Sequence, residues 1–249
     1  MSDLPERYDR HVRIPDFGPE GQRRLLGATA VLVGAGGLGS AAGIYLAAAG
    51  VGRLRLVDPD PVEPSNLNRQ VLYGPADVGH VKVGAAAERL RRLNPDCAVE
   101  ALAERLDADR AEALFAGADV VLDCSDNFAT RLAVADAAWH TGRPLVSASA
   151  LGWEGNLLSV LPAEGSPCYR CLVPEVPPPA AAPTSAEVGV LGPVVGVMGT
   201  SQALEAVRVL TGLGETFVHR LGAYDGRTGV WRILRRRRDP ACPVCGSAG

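Results

Sequence analysis

Residues 31–39 read VLVGAGGLG, and residues 54–58 read LRLVD. An apolar run, a glycine-rich turn, a helical start and a second run closing on an acid form the nucleotide fingerprint of a βαβ unit. Gly34 and Gly36 let the backbone approach a phosphate, and Gly39 lets the following helix lie close on the sheet. The N-terminus of that helix offers free N–H groups and a positive dipole end to an anion. Asp58, about twenty residues past the turn, stands where a carboxylate accepts a ribose hydroxyl. The fingerprint specifies a nucleotide. It does not say which one, or what is done to it.

Outward from this unit, strand and helix patterns alternate. Strands are expected at 30–33, 53–57, 98–102, 120–123 and 144–150, with helices at 38–49, 82–93, just before Gly117 and at 127–140; residues 5–26 read as a helical lead-in. Such alternation implies a parallel sheet covered on both faces. The remainder differs. Residues 155–161 form a strand with no phosphate turn, and 174–183 are Pro/Ala-rich, an exposed crossover or lid rather than core. Residues 190–210 read as a buried helix around Pro193, and 218–224 with 229–234 as a late antiparallel hairpin around Asp225-Gly226. The fold class expected is α/β: a Rossmann-like, mainly parallel sheet with helices on both faces and a C-terminal antiparallel extension. No repeat and no linker divides residues 1–249, so one domain is expected, with a lid at about 172–190.

Composition removes several function classes. Hydrophobic residues make up 47% of 249, enough for one large core. A formal net charge of −3 gives no global pull toward nucleic acid or an anionic membrane. No apolar run approaches a membrane span, and MSDLPERYDR carries no apolar signal region, so a cytoplasmic protein is expected.

Four of six cysteines form two pairs, Cys168-Tyr-Arg-Cys171 and Cys242-Pro-Val-Cys245. Four thiolates at this spacing suit a tetrahedral structural zinc; free or redox-active thiols are the other reading. Cys97 and Cys124 read as core. Beyond Asp58, the cluster Ser65-Asn66-Leu67-Asn68-Arg69-Gln70 replaces the plain helix of a dehydrogenase, and Lys82 opens the next helix. Arg69 and Lys82 suit a polyphosphate leaving group; a polar loop and a solvated lysine are the plainer alternative. Asp126, in DCSDN at the end of a strand, is placed to hold Mg²⁺ or to cap the helix that follows. Arg131, a turn later, is expected near the same cleft. Arg235–Arg238 reads as a solvated strand end, or else a contact for an acidic partner.

Taken together, RYDRHV, GAGGLG, SNLNRQVLY, DCSDN, CYRC, GPVVGVMGTSQALEAVRVL and CPVCG make the chain resemble the ubiquitin-activating-enzyme-like adenylyltransferases, in the bacterial branch called ThiF, MoeB or HesA. The similarity covers nearly the whole chain. It implies Mg-ATP-dependent adenylation of the C-terminal glycine of a small ubiquitin-fold sulfur-carrier protein with a diglycine tail. By the same resemblance, Gly36, Gly37 and Gly39 lie along the phosphates and Asp58 binds the ribose. Asn66, Arg69 and Lys82 meet the phosphates, Asp126 serves magnesium and the reaction centre, and Cys168, Cys171, Cys242 and Cys245 hold zinc. Arg10 matches an arginine that reaches into the neighbouring subunit's site, which implies a homodimer.

One departure stands out. Relatives that link covalently to the carrier place a cysteine four residues before a Gly-Val; here Ser185 precedes Gly189-Val190 at that spacing. A hydroxyl does not replace a thiolate in persulfide or thioester chemistry at neutral pH. A free carrier adenylate passed to a separate sulfur donor is therefore expected. The rival readings are a nicotinamide oxidoreductase, a non-catalytic scaffold, and an enzyme acting on another ubiquitin-like or peptide C-terminus or on a tRNA base.

Overall fold

The computed structural model describes residues 4–163, 165–178, 180 and 182–246, leaving aside the side chains of 108 and 109. The expected lead-in is broken into a 3-10 turn at Glu6–Tyr8, α1 at Asp9–Val12 and α2 at Gly18–Gly27. β1 (Thr29–Val33), α3 (Gly37–Ala49) and β2 (Arg53–Val57) form the first βαβ unit, followed by α4 (Lys82–Leu93) and β3 (Ala98–Leu102). Then come α5 (Ala108–Phe115), β4 (Val120–Asp123), α6 (Phe128–His140), β5 (Leu145–Leu151) and β6 (Glu154–Val160). The chain closes with α7 (Ser185–Val188), α8 (Gly192–Thr211) and the hairpin β7 (Arg220–Asp225) and β8 (Val230–Arg235).

One sheet unites the strands in the order β3-β2-β1-β4-β5-β6-β7-β8. The first five are mutually parallel, and β6, β7 and β8 turn back antiparallel. Alternation along β1 explains the helices on both faces. Ala30 and Leu32 point into a core shared with α3, α4 and α8, while Val31 and Val33 point into a second core with α5 and α6. The four paired cysteines belong to that second core. Cys97 and Cys124 are buried, as expected. Among the described residues, no helix is long and apolar enough to cross a membrane.

Strand order reverses beside β1, which pairs β2 on one side and β4 on the other. Ligands gather at the carboxyl ends of strands at such a switch point. Two glycines make this end possible. Gly34 has φ +98°, and a Cβ there would stand 2.8 Å from the Cys124 carbonyl oxygen. A Cβ on Gly39 would stand 2.0 Å from the Gly34 carbonyl oxygen, so α3 leaves the turn only because position 39 has no side chain. α8 crosses α3 on small residues, Ala41 against Gly199. From α8, Gln202 is fully buried and donates to the carbonyls of Asp123 (2.8 Å) and Val146 (3.0 Å), tying β4 to β5 from above.

Gly39→Ala is therefore expected to cost about 3 kcal/mol, since the backbone it meets is itself part of the turn. Urea unfolding followed by far-UV circular dichroism measures this; a loss below 1 kcal/mol shows that the turn relaxes at little cost.

Candidate active site

The carboxyl ends of β1, β2, β4 and β5 enclose a cavity of about 520 Å³, within the range of small-molecule sites. Gly36, Gly37, Asp58, Arg69, Lys82 and Asp126 all line it. Residues from three separate stretches of sequence thus face one space.

Asp58 ends β2 and is nearly buried. Its carboxylate accepts the N–H groups of Ala35 (2.7 Å) and Asp60 (2.9 Å). This fixes the acid against the glycine turn. Burial pushes its carboxyl above the usual range, and the Asp60 and Ala35 N–H groups and the Lys82 charge oppose that push. Lys82 is buried at the start of α4; its Nζ lies 3.2 Å from Asp60 Oδ2 and 4.0 Å from Asp58 Oδ1. The solvated-lysine alternative therefore does not hold.

The loop between β2 and α4 folds back on itself. Val62 exchanges backbone hydrogen bonds with Gly79 and His80, and Lys82 N–H donates to the Asp60 carbonyl. Tyr73 is buried and donates its hydroxyl hydrogen to the Ala35 carbonyl (2.7 Å), pinning the loop to the glycine turn. Arg69 is half-buried; its Nη1 donates to the Ser65 carbonyl (2.9 Å) and Asn68 Oδ1 (3.1 Å). Asn66 does not reach the cavity wall. It is buried, its Oδ1 accepts the Glu63 N–H (3.2 Å), and it closes the 3-10 turn Pro64–Asn66 that presents Arg69. Gly39 sits under the turn and likewise does not line the cavity. Arg10 is exposed on α1, outside the cavity of its own chain.

Below the exposed Asp126 lies a buried polar network. Asp123 is fully buried and accepts Ser125 Oγ (2.5 Å), Ser125 N–H (3.1 Å) and Ser147 Oγ (2.7 Å). Arg131, also buried, lies 3.3 Å from Asp123 Oδ2 and donates to the carbonyls of Ser125 (2.7 Å) and Ala148 (2.9 Å). Only a planar fork of several N–H groups reaches so many acceptors at once, so a lysine cannot replace it. Asn127, not Asp126, caps α6, accepting the Thr130 N–H (2.9 Å). The capping alternative for Asp126 falls with this, and its carboxylate is left facing the cavity. Gln70, part of the cluster singled out in the sequence, also lines the cavity, as does Tyr169, which sequence reasoning did not single out.

On the far side of α6 the four paired cysteines come together. Their sulfurs all lie within 4.8 Å of one another, with Cys171–Cys245 at 3.2 Å and Cys168–Cys242 at 3.4 Å. Zn–S bonds of ~2.3 Å around a tetrahedron place sulfurs about 3.8 Å apart, so this cage fits such an ion and is too wide for disulfides. Backbone N–H groups approach the sulfurs, including Asp239 N–H to Cys171 Sγ (3.4 Å). Burial raises the Cys242 thiol, but the N–H groups of Cys245 and Val244 and the thiols of Cys168 and Cys245 outweigh it, bringing it to about 7. These donors favour the Cys242 thiolate, the metal-binding form, whereas burial pushes the Cys168 and Cys171 thiols up.

The arginine run corrects the expected solvated strand end. Arg235 and Arg237 are exposed, but Arg236 is buried. It donates to the carbonyls of Ser159 (2.9 Å), Val218 (3.1 Å), Cys168 (3.1 Å) and Pro167 (3.4 Å). Arg238 donates to the Cys245 carbonyl. Alternate arginines thus hold both knuckles. Arg236→Met is expected to destabilise the chain by about 3 kcal/mol, because it leaves buried carbonyls without donors. It should also weaken metal retention against a chelator, measured by elemental analysis after dialysis. Unchanged stability and metal content would show that water replaces the guanidinium.

A family model described as the ThiF family matches residues 8–244. The chain is 46% identical over 244 residues to the SAMP-activating enzyme E1 of Haloferax volcanii, covering 98% of this chain and 90% of that protein. It is 45% identical over 242 residues to the sulfur carrier protein ThiS adenylyltransferase of Escherichia coli K12, covering 97% and 95%. With the adenylyltransferase and sulfurtransferase MOCS3 of Mus musculus it shares 50% identity over 241 residues, 96% of this chain but 52% of that protein, so it spans about half of that relative. A crystal structure of E. coli MccB with ATP superposes with a TM-score of 0.81 at 22% identity, covering 98% of this chain and 75% of that one, which shows a shared fold. The matched model takes in the glycine turn, the DCSDN loop and three of the four paired cysteines, and the chain belongs to the ThiF family.

Proposed function

We propose that this chain adenylates the C-terminal glycine of a small ubiquitin-fold sulfur-carrier protein at the expense of ATP, releasing pyrophosphate. The observation that carries the reading is the convergence of the glycine turn, Asp58, Arg69, Lys82 and Asp126 on one cavity. The names of the relatives, a ThiS adenylyltransferase and a SAMP-activating E1, supply the substrate class.

The reaction joins two anions. A carrier carboxylate oxygen forms a bond to the α-phosphorus, and the bond from that phosphorus to the β-bridging oxygen breaks, the electron pair leaving with pyrophosphate. Catalysis is then mainly alignment and charge neutralisation. Asp58, fixed by two backbone N–H groups, keeps free lone pairs for ribose hydroxyls. Gly36 and Gly37 admit the phosphates against the start of α3, and Arg69 and Lys82 offer positive charge along them. Lys82 must exchange part of its contact with Asp60 for phosphate. When bound, Mg²⁺ supplies further charge compensation on the phosphates; the Asp126 carboxylate, released from capping, suits a hard cation that keeps most of its other ligands as phosphate and water. No protein nucleophile is needed. Zinc is the ion proposed for the four cysteines.

Ser185 stands at the start of α7 on the cavity wall, beside the crossover. The end of that crossover is pinned to the β5–β6 turn through Gly152 N–H to the Gly189 carbonyl (2.9 Å) and Leu191 N–H to the Gly152 carbonyl (3.1 Å). With a hydroxyl at 185, the product proposed is a free carrier adenylate taken over by a separate sulfur donor. Of the crossover expected at 172–190, Pro179 and Ala181 lie outside the described residues.

Exchange of labelled pyrophosphate into ATP, dependent on an added ubiquitin-fold carrier, tests the reading. Asp126→Asn should fold normally and lower this exchange about a hundredfold, the usual scale for losing one transition-state charge contact. Near-normal exchange by a folded variant would remove Asp126 from the reaction centre.

The exposed Arg10 supports a homodimer in which each chain completes its partner's site. Mixing inactive Arg10→Ala with inactive Asp126→Asn chains should then restore activity in mixed dimers. No recovery after verified subunit exchange would place Arg10 outside any shared site.

A further inference from the structure

We propose that Asp60 is a latch for Lys82: it holds the ammonium while the cavity is empty, gives it up to a bound polyphosphate, and takes it back as pyrophosphate leaves. The inference rests on the reading of the cavity as the adenylation site and adds a positioning residue to it.

The backbone fixes the two residues side by side. Asp60 N–H donates to Asp58 Oδ1 (2.9 Å), and the Asp60 carbonyl accepts the Lys82 N–H (3.0 Å). One residue along, Pro61 and Val81 form an antiparallel bridge. The side chains then meet. Lys82 Nζ donates to Asp60 Oδ2 at 3.2 Å and stands 4.0 Å from Asp58 Oδ1. All three residues line the cavity. One ammonium thus faces two carboxylates, and its charge is compensated before any anion enters.

The two carboxylates are not equivalent. The Asp58 side chain is 8% exposed and is held by the N–H groups of Ala35 and Asp60. The Asp60 side chain is 57% exposed, and among the described residues its carboxylate accepts only from Lys82. Water can therefore replace the lysine at Asp60 at little cost. Lys82 has no such freedom. Its side chain is 9% exposed, and a buried ammonium without a partner is costly, so it must pass directly from one anion to another. A flexible four-carbon stem allows that exchange, where the planar fork of an arginine does not. In the empty cavity Asp60 competes with any polyphosphate for the ammonium. Apparent affinity then falls by the fraction of chains whose lysine is free. The same competition loosens the grip on departing pyrophosphate. Asp60 is a positioning residue, because it acts through Lys82.

The test is Asp60→Asn in the full chain, which keeps the backbone contacts and removes the competing charge. Calorimetric titration with ATP and with pyrophosphate, each as its magnesium complex, should give dissociation constants about fivefold below wild type, the upper range for a pair with one solvated partner. Adenosine, which has no phosphate, should bind as it does to wild type, and the melting temperature should hold. Asp60→Ser, which also lacks the charge, should behave alike. In carrier-dependent exchange the KM for pyrophosphate should fall in step. In a Lys82→Met background, Asp60→Asn should leave pyrophosphate affinity unchanged, because the double-mutant cycle isolates the pair. Three results overturn the inference. Unchanged or weaker binding of ATP and pyrophosphate would show that Asp60 does not compete for the lysine. An altered adenosine affinity would place Asp60 on the nucleoside instead. The same tightening in the Lys82→Met background would reduce the effect to general repulsion of the anion. If wild type bound neither ATP nor pyrophosphate, the adenylation reading would fail and the latch with it; wild-type binding beside an unaltered variant removes the latch alone.

Discussion

The backbone contact between Gly34 and Cys124 determines what else can stand at the end of the sheet. β1 and β4 run parallel with Val33 opposite Asp123, and Cys124 N–H donates to the Val33 carbonyl (2.9 Å). Both chains therefore leave the sheet at one level. Without a Cβ at 34, the glycine turn and the DCSDN loop emerge in contact instead of splaying apart. Gly39 repeats the device one step on, bringing α3 onto the same turn. The start of α3 and an acid-bearing loop come to face one cavity because two side chains are absent.

Charge at this cavity is arranged in two layers. The wall carries Arg69, Lys82, Asp58 and Asp126, partly held but still able to exchange contacts with a ligand. Beneath it, Asp123 and Arg131 are bound so completely that neither has capacity to spare. A buried ion pair contributes little net stability, and breaking one partner is costly. Its value here is geometric. It sets the path of residues 123–127, while the exposed wall retains the adaptable charges that a nucleotide and a cation require.

Much of this was legible in the sequence, for local reasons. Strand periods, the glycine turn and the acid at the end of β2 depend on neighbours within a few residues, so β2, β3, β4 and α4 fall where alternation and apolar spacing predict them. The two CxxC pairs carry their ligand spacing in the chain itself. What was not legible depends on distant partners. Arg236 sits in a run of four arginines that reads as solvated, yet carbonyls from residues 159, 167, 168 and 218 surround it. Asp126 and Asn127 are equivalent caps on paper, and only the Thr130 N–H chooses between them. Asn66 looks like a phosphate ligand by type and position, whereas its amide closes the turn that supports Arg69.

The position of the four cysteines in the chain gives a metal bound there a further physical role. Their two pairs stand about seventy residues apart, and the segment between them contains the crossover, α7, α8, β7 and β8. A metal joining the ends of such a loop would remove about 4 kcal/mol of chain entropy from the unfolded state, by the relation used for cross-links. That stabilisation would fall on a segment that includes the crossover. The described residues of the crossover are mostly exposed, and the segment is pinned at one end by the Gly152–Gly189 contact and at the other by Arg170 on Pro174. On the proposed function, an enzyme that admits a carrier's tail needs a cover with weak internal order. Fixing the ends of that cover holds it in place without loosening the sheet beneath the cavity.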